Sequence, residues 1–181
     1  MTGSPLVVVA IGTEAAHLRG LDVVLTGIGK VSAAVAVTRA IAEHRPSFVL
    51  NVGTAGALRD GLEGAHRIGR VLEHDVDHAF LRTLTGEDSI GEIVLDPGES
   101  TTLATGDAFV SDPTVRLALA ERAHLVDMEG FAVARACAAA EVECRIVKVV
   151  SDTASEDAAR SWKAEADRTA RVIAEVVAEH L

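Results

Sequence analysis

The sequence predicts a single three-layer α/β/α domain over residues 1–181, with a central twisted sheet that is mixed but mostly parallel. Two continuous apolar runs, Leu6–Ile11 and Phe48–Val52, have the pattern of strands that are covered on both faces. A helix-like stretch rich in Ala and Val, Val31–His44, separates them and stops near Pro46. Such strand–helix–strand alternation calls for right-handed crossovers between parallel strands.

The other elements are predicted in chain order from the same patterns. Leu21–Thr26 is a strand that leads into the glycine turn Gly27-Ile28-Gly29-Lys30, and Phe48–Val52 leads into a second turn, Gly53-Thr54-Ala55-Gly56. Further strands are expected at Arg67–Glu73, Gly91–Leu95, Thr101–Thr105 and Cys144–Val150, with loops at Thr83–Ser89 and Asp96–Ser100. Further helices are expected after the Asp112-Pro113 start signal, over Gly130–Glu141 and over about Ser161–Glu179.

Composition narrows the class of protein. Apolar residues make up 49% of the chain, but no apolar run approaches the ~20 residues that span a bilayer, and the N-terminus lacks a secretory pattern. We therefore expect a soluble, cytoplasmic protein without a membrane partner. The formal net charge of −10 and the aromatic content of 3% argue against a nucleic-acid partner, which needs a basic face or stacking aromatics.

Three acidic residues, far apart in sequence, each lie just past a predicted strand or at the start of the following helix. Glu14 follows the first apolar run, Glu129 ends Val126-Asp127-Met128-Glu129, and Asp152 ends the run that begins at Ile146. Taken singly, each could be an N-cap or a first-turn acid. Because ligands bind at the carboxyl edge of such sheets, their shared placement favours one cleft. Carboxylates in one cleft suit a reaction that builds positive charge, such as departure of a base from ribose.

Several weaker motifs have both a structural and a functional interpretation. The turn at Gly27–Lys30 lacks the spacing of a dinucleotide or P-loop motif, which leaves a plain turn or an anion- or water-binding turn. Lys148, inside an apolar strand, either faces the cleft beside a carboxylate or reaches solvent at a strand edge. His74-Asp75-Val76-Asp77-His78 has the appearance of a metal motif, but we favour a solvated polar loop and expect no metal. Cys137 and Cys144 are expected to be reduced and buried.

Short segments in colinear order span nearly the whole chain. They are Gly12-Thr13-Glu14, Thr26-Gly27-Ile28-Gly29-Lys30-Val31, Asn51-Val52-Gly53-Thr54-Ala55-Gly56, Thr105-Gly106-Asp107-Ala108-Phe109-Val110, Val126-Asp127-Met128-Glu129 and Val150-Ser151-Asp152. Together they resemble the nucleoside phosphorylase/nucleosidase superfamily, most closely its hydrolytic branch, which is typified by 5′-methylthioadenosine/S-adenosylhomocysteine nucleosidase.

The resemblance implies a role for each matched residue. Glu14 corresponds to the carboxylate that orients and activates the attacking water. Asp152, beside Ser151, corresponds to the general acid that protonates N7 of the leaving purine, and Glu129 to the acid that binds the ribose hydroxyls. The remaining matches are Met128 packing on the sugar, Phe109 stacking on the base, Val110 reading the base edge through its backbone, and Thr54 and Gly56 beside the sugar and water.

The chain departs from this family in three places. The family has an extra pair of strands before the Gly27–Lys30 turn, so we expect a sheet that is trimmed near the N-terminus. Lys148 stands where the nucleosidases usually carry an arginine that helps to hold the water. The segment Arg59–Glu99 is shorter and divergent where the family builds its 5′-substituent pocket and part of its dimer contact.

The sequence therefore predicts an enzyme: a purine nucleoside N-ribohydrolase that cleaves the ribosidic C–N bond of an adenosine-type nucleoside with water, through an oxocarbenium-like transition state and without a cofactor. Methylthioadenosine, adenosylhomocysteine and futalosine all share the features that these residues read. A phosphorylase is less favoured, because no arginine lies in the Gly12 or Gly29 loops and Glu14 would repel phosphate. A catalytically weak nucleoside-binding protein, or a homologue with a vestigial cleft, is the non-enzymatic alternative.

We expect a homodimer, because helix Gly130–Glu141 is apolar almost all round and part of it could be covered by a second subunit.

Overall fold

Five helices are distributed among nine strands in the described part of the chain. The structure, a computed structural model, describes residues 3–155 and 157–181. The strands are β1 (Leu6–Val9), β2 (Val23–Leu25), β3 (Phe48–Ala57), β4 (Ala65–Arg67), β5 (Arg70–Glu73), β6 (Glu92–Val94), β7 (Thr102–Thr105), β8 (Leu125–Asp127) and β9 (Glu143–Asp152). The helices are α1 (Lys30–His44), α2 (His78–Thr85), α3 (Pro113–Ala120), α4 (Gly130–Ala139) and α5 (Ala158–His180).

The strands of the described residues join one nine-stranded sheet. Strand β1 lies between β2 and β3 and is parallel to both, and β3 is parallel to β9. Strand β7 is parallel to β5 and β8, whereas the pairs β3–β8, β4–β9 and β5–β6 are antiparallel. The predicted mixed, mostly parallel sheet is therefore confirmed.

Helices cover both faces of this sheet, because successive residues of each strand point to opposite sides. In β1, Leu6 and Val8 pack with α1 and α4, whereas Val7 and Val9 pack with α5 on the other face. Burial of each such valine contributes roughly 1.5–3 kcal/mol to stability. The continuous apolar run in the sequence thus reports a strand with two buried faces, and the three-layer prediction is confirmed.

Helix α4 is covered by its own chain. Its residues Phe131, Val133 and Cys137 are buried, and Val133 and Cys137 belong to a core cluster that includes Val37 of α1. The apolar character of this helix is therefore explained by packing within one subunit. Helix α4 lies beside α1 on one face of the sheet, so its apolar surface is no longer a reason to expect a second subunit there.

The predicted turn Gly53-Thr54-Ala55-Gly56 is also wrong, because this segment continues strand β3. It pairs with β9 from Gly53 opposite Lys148 to Gly56 opposite Asp152, with a register shift just before Gly56. The glycines mark close contacts rather than a turn. A Cβ atom at Gly56 would lie 3.0 Å from Asp152 Oδ1, and one at Gly53 would lie 3.4 Å from Glu14 Oε1.

Smaller differences concern element boundaries. The predicted strand Arg67–Glu73 divides into β4 and β5 at Gly69, where a Cβ atom would collide with the Glu99 carbonyl oxygen. Helix α2 extends to Thr85 and so occupies the first part of the predicted loop Thr83–Ser89. The start signal before α3 is confirmed, because the Asp112 carboxylate accepts hydrogen bonds from the Thr114 and Val115 amides.

The connection between the first two strands is described throughout and contains neither a helix nor a further strand. Turns and bends connect β1 to β2 across residues 10–22, which agrees with the expected trimming relative to the family. None of the helices within residues 3–155 and 157–181 has the length and apolarity that crossing a bilayer would require.

Candidate active site

One cavity lies where several strands end, and it brings the predicted site residues together. Its volume is about 210 Å³, and residues that end or follow β1, β3, β7, β8 and β9 line it. The predicted residues among its lining are Glu14, Thr54, Gly56, Phe109, Val110, Met128, Glu129, Lys148, Ser151 and Asp152. Every candidate from the sequence is therefore at this cavity, although the chain positions span residues 14 to 152.

Glu14 is held by one of its two carboxylate oxygens. Oε1 accepts hydrogen bonds from the Thr54 amide at 2.8 Å and from the Thr54 hydroxyl at 2.7 Å. Oε2 is buried and has no hydrogen-bond partner within the part of the chain that the structure describes. Because a buried carboxylate oxygen without a donor is costly, Oε2 is available to a donor that enters the cavity.

The Lys148 ammonium lies near the same carboxylate. A Cβ atom built on Gly53 would be 3.5 Å from both Glu14 Oε2 and Lys148 Nζ. The glycine therefore leaves a small space bordered by an acceptor and a donor. A water molecule in that space could donate to Glu14 and accept from Lys148.

Asp152 accepts two hydrogen bonds at the end of β9. The Ser151 hydroxyl donates to Oδ2 at 2.8 Å, and the Ala154 amide donates to Oδ1 at 2.8 Å. The backbone of Ala154 has a φ of 47°, in the left-handed region, which turns the chain back toward the carboxylate. These contacts fix the direction of a carboxyl group whose residue is only 8% exposed.

Glu129 lies at the start of α4 and reaches the glycine turn before α1. Its Oε1 accepts a hydrogen bond from the Gly29 amide at 2.8 Å, and Gly29 has a φ of 91° that favours glycine. Burial, with the nearby charge of Asp127, raises the pKa of Glu129 to about 7, in spite of Lys148 and the Gly29 hydrogen bond. Its protonation state therefore changes near neutral pH.

Asp127, for which no role was predicted from the sequence, holds the buried lysine. Lys148 Nζ lies 3.0 Å from Asp127 Oδ2, so the prediction that Lys148 faces the cleft beside a carboxylate is confirmed. Asp127 also accepts hydrogen bonds from the Thr105 hydroxyl and the Gly130 amide. Burial alone would lower the pKa of Lys148, but Asp127, Glu129 and Glu14 outweigh it and raise that pKa.

The loop after β7 carries the two residues that the resemblance places at the base. Phe109 is 48% exposed and Val110 is 7% exposed, and both line the cavity. This loop is attached to the glycine turn, because Asp107 Oδ1 accepts a hydrogen bond from the Lys30 amide at 2.7 Å. It is also attached to the segment after β5, because the Asp107 amide donates to Asp75 Oδ2 at 2.8 Å.

The segment His74-Asp75-Val76-Asp77-His78 is a loop up to the start of α2 at His78, with Asp75 and Asp77 exposed as expected, but its side chains also form ion pairs. Lys30 Nζ lies 2.5 Å from both Asp75 Oδ1 and Glu73 Oε1, and His78 Nε2 lies 3.0 Å from Glu73 Oε2. Burial alone would lower the pKa of Lys30, but these two carboxylates outweigh it and raise that pKa. The acids and histidines are arranged around a lysine, a pairing across 45 residues that local sequence did not indicate. Among the described residues no group of His, Cys, Asp and Glu is placed to hold a metal ion.

Trp162, in the second turn of α5, is a cavity residue that was not predicted from the sequence. Its indole N–H donates to the Thr54 hydroxyl at 3.1 Å. A signal for it exists in the sequence, because Trp162 falls at helical spacing from the buried residues Ala158, Thr169 and Ile173. The same spacing indicates that it points toward the sheet.

Comparison with known proteins decides the family. A sequence model described as the Phosphorylase superfamily matches residues 3–89 and 75–181. The chain belongs to the phosphorylase superfamily. It is 32% identical over 169 residues to a 5′-methylthioadenosine/S-adenosylhomocysteine nucleosidase of Shewanella loihica, in a match that covers 79% of this chain and 74% of the relative.

Solved structures of Helicobacter pylori proteins share the fold of this superfamily member. A mutant of the nucleosidase MTAN with 5′-methylthioadenosine in its active site has a TM-score of 0.88 at 22% identity, covering 99% of this chain and 98% of that chain. A futalosine hydrolase has a TM-score of 0.87 at 23% identity, covering 100% of this chain and 99% of that chain. At these identities the two structures establish the fold.

Proposed function

We propose that this protein is a purine nucleoside N-ribohydrolase that cleaves an adenosine-type nucleoside with water. The observation that carries this proposal is the convergence of Glu14, Glu129 and Asp152 on one cavity. Each of these residues is at most 8% exposed. The nucleosidase names of relatives such as the Shewanella loihica protein support the same class of reaction.

The arrangement suits the charge that develops in this reaction. Breaking a ribosidic C–N bond builds an oxocarbenium-like cation, and fixed carboxylates stabilise this cation more than they stabilise the neutral substrate. Glu129 binds the ribose hydroxyls, with Met128 packing on the sugar. Glu14 Oε2 accepts a hydrogen bond from the attacking water, and Lys148 donates one to the same water.

The leaving base is assisted from the other side of the sugar. Asp152, directed by Ser151 and the Ala154 amide, donates a proton to N7 of the purine so that the base leaves as a neutral molecule. Phe109 stacks on the base, and the backbone of Val110 reads its edge. Thr54 and Gly56 border the sugar and the water from β3.

Water rather than phosphate is the favoured nucleophile. The lysine of the glycine turn, Lys30, is occupied by two carboxylates at 2.5 Å. The buried carboxylate of Glu14 would repel a phosphate in the space where Lys148 could attract it. Phosphorolysis would need cations that are free to bind an anion bidentately, as arginine does.

A nucleoside panel with and without inorganic phosphate tests this function. We expect free purine base from methylthioadenosine, adenosylhomocysteine or futalosine at rates that do not depend on phosphate, together with a free sugar rather than a sugar 1-phosphate. Reaction in ¹⁸O-labelled water should place the label on the anomeric oxygen of the sugar. Phosphate-dependent base release would establish a phosphorylase, and nucleoside binding without base release would establish a binding protein.

We also propose that the protein is a cytoplasmic homodimer. Exposed apolar side chains support the dimer: Val31 and Val35 on α1 are 75% and 65% exposed, and Phe80 and Leu84 on α2 are 59% and 68% exposed. The two apolar patches lie near each other in the fold, because both adjoin the cluster of Lys30, Glu73 and Asp75, here called the Lys30 cluster. Val31 follows Lys30, and α2 begins shortly after Asp75. Sedimentation of wild-type protein and of Val31→Glu distinguishes a dimer, which this charge would dissociate, from a monomer.

The proposed cytoplasmic location is supported by the cysteines. Cys137 and Cys144 are unbridged although their thiols are neighbours, and the hydrogen bond between them, with burial, raises the pKa of the Cys144 thiol. Reducing compartments keep such pairs as thiols. Detection of a Cys137–Cys144 disulfide in protein isolated from its native cells would count against this location.

A further inference from the structure

We propose that Trp162 is a positioning residue for the reaction, because its indole N–H fixes the direction in which the Thr54 hydroxyl donates to Glu14. This inference rests on the proposed function. It concerns a chain of contacts from the start of α5, through β3, to the carboxylate that holds the attacking water.

The direction of each hydrogen bond in this chain follows from the chemistry of the groups. An indole N–H can only donate, so the Thr54 hydroxyl oxygen accepts from Trp162 at 3.1 Å. A hydroxyl has one hydrogen to donate. With the indole on its oxygen, Thr54 directs that hydrogen to Glu14 Oε1 at 2.7 Å.

The consequence for Glu14 is a fixed carboxylate plane. Oε1 is held by both the amide and the hydroxyl of Thr54, which leaves Oε2 as the oxygen that faces an incoming donor. Without Trp162, the Thr54 hydroxyl could rotate and donate elsewhere. Oε1 would then keep one donor, and the carboxylate could turn away from the position in which it orients water.

The position of Trp162 also links the Glu14 carboxylate to helix α5. Strand β9 ends at Asp152, and α5 begins six residues later at Ala158. The segment that leaves Asp152 therefore leads, through the first turns of α5, to the residue that orders Glu14. A nucleoside that displaces the Trp162 ring would loosen Glu14, and one that packs against the ring would hold both carboxylates in place.

Variants of Trp162 and Thr54 test this inference in phosphate-free base-release assays. Trp162→Phe keeps most of the ring and removes the N–H, and loss of one hydrogen bond predicts a fall in kcat of roughly fivefold with KM within about twofold. Lys148 and Glu129, the charged groups near Glu14 on β9 and at α4, are unchanged in these variants.

The pairing of variants separates positioning from simple packing. In a Thr54→Val background the hydroxyl that connects Trp162 to Glu14 is already absent, so Trp162→Phe should change kcat by less than about twofold. In a Thr54→Ser background, which keeps the hydroxyl, Trp162→Phe should again lower kcat by roughly fivefold. Trp162→Leu is the second variant should Trp162→Phe fold poorly, because leucine is apolar and has no donor for the Thr54 hydroxyl.

The outcomes distinguish the inference from the proposed function. If wild-type protein releases base but Trp162→Phe leaves kcat unchanged, Trp162 does not position Glu14. The same conclusion follows if Trp162→Phe has equal effects in the Thr54→Val and Thr54→Ser backgrounds. If wild-type protein releases no base from any nucleoside, the proposed function itself fails.

Discussion

Lys148 and Asp127 form an ion pair beside the cavity, with Nζ 3.0 Å from Oδ2 and side chains that are 3% and 1% exposed. The pair connects adjacent parts of the site, because Asp127 also accepts a hydrogen bond from the Gly130 amide at the start of α4. Its arrangement explains how a lysine is tolerated inside an apolar strand. Two buried charges that satisfy each other avoid most of the penalty that either would have alone.

Removal of one charge from this pair should destabilise the fold strongly. Asp127→Asn leaves the Lys148 ammonium without its partner, and the free energy of unfolding should fall by roughly 3–5 kcal/mol. Denaturant unfolding at neutral pH measures this change. Glu43→Gln breaks the exposed Arg39–Glu43 pair as a control and should cost less than about 1 kcal/mol. Equal stability of Asp127→Asn and wild type would show that the pair is not buried as described.

The raised pKa of Glu129 predicts a stability that depends on pH. Its pKa is about 7 in the folded protein and 4.5 in the reference state, so the folded state holds more protons between these values and stability falls as pH rises through this window. The contribution is about 3 kcal/mol. Unfolding free energies measured from pH 4 to pH 8 should show the slope in wild type and in the exposed control Glu175→Gln. Glu129→Gln should flatten it, and an unchanged slope would contradict the assignment.

The layers of the fold and the residues of the site could be predicted from the sequence, because both follow from the residue types within single strands and just after them. The run around Val8 is apolar on both faces, and the acids Glu14, Glu129 and Asp152 each follow a strand, so their meeting at one edge could be inferred without coordinates. The order of the strands in the sheet was not specified, since strand β7 pairs with β5 and β8 through contacts distant in sequence.

Three features could not be read from local patterns. Glycine at positions 53 and 56 is usual in turns, and only the neighbouring carboxylates show that here it permits close contact inside a strand. Asp127 acquires its importance from Lys148, which lies on another strand. The Lys30 cluster likewise depends on pairing across the fold, and neither Asp75 nor Glu73 carries a local signal for it.

The Lys30 cluster should control how well the base-binding loop is ordered. Lys30→Met removes the cation that holds Glu73 and Asp75, and repulsion between these acids should displace Asp107 and the adjoining Phe109 loop. We expect KM for the nucleoside to rise about tenfold with a smaller change in kcat, because the loop contributes binding rather than chemistry. Steady-state kinetics measures both quantities. Lys163→Met on the exposed side of α5 is the control, and equal KM values for the two variants would contradict this role.

Filling the space at Gly53 should remove the water site with little effect on folding. A methyl group there lies 3.4–3.5 Å from Glu14 and Lys148, at ordinary contact distance, so Gly53→Ala should unfold at nearly the wild-type temperature. Because the methyl occupies the space between the acceptor and the donor, kcat should fall by at least about tenfold. Thermal unfolding and base release are measured together. A stable Gly53→Ala protein with wild-type kcat would place the attacking water elsewhere.

The most direct test of the account is the rate of base release by Asp152→Asn, compared with wild type in phosphate-free buffer under single-turnover conditions. The variant keeps the size of the side chain and loses the proton that N7 requires. If Asp152 is the general acid of a nucleoside hydrolase, wild-type protein releases adenine and free sugar, and the variant binds nucleoside but is slower by about 10² or more. Wild-type rates in Asp152→Asn, or no base release by wild type, would contradict it.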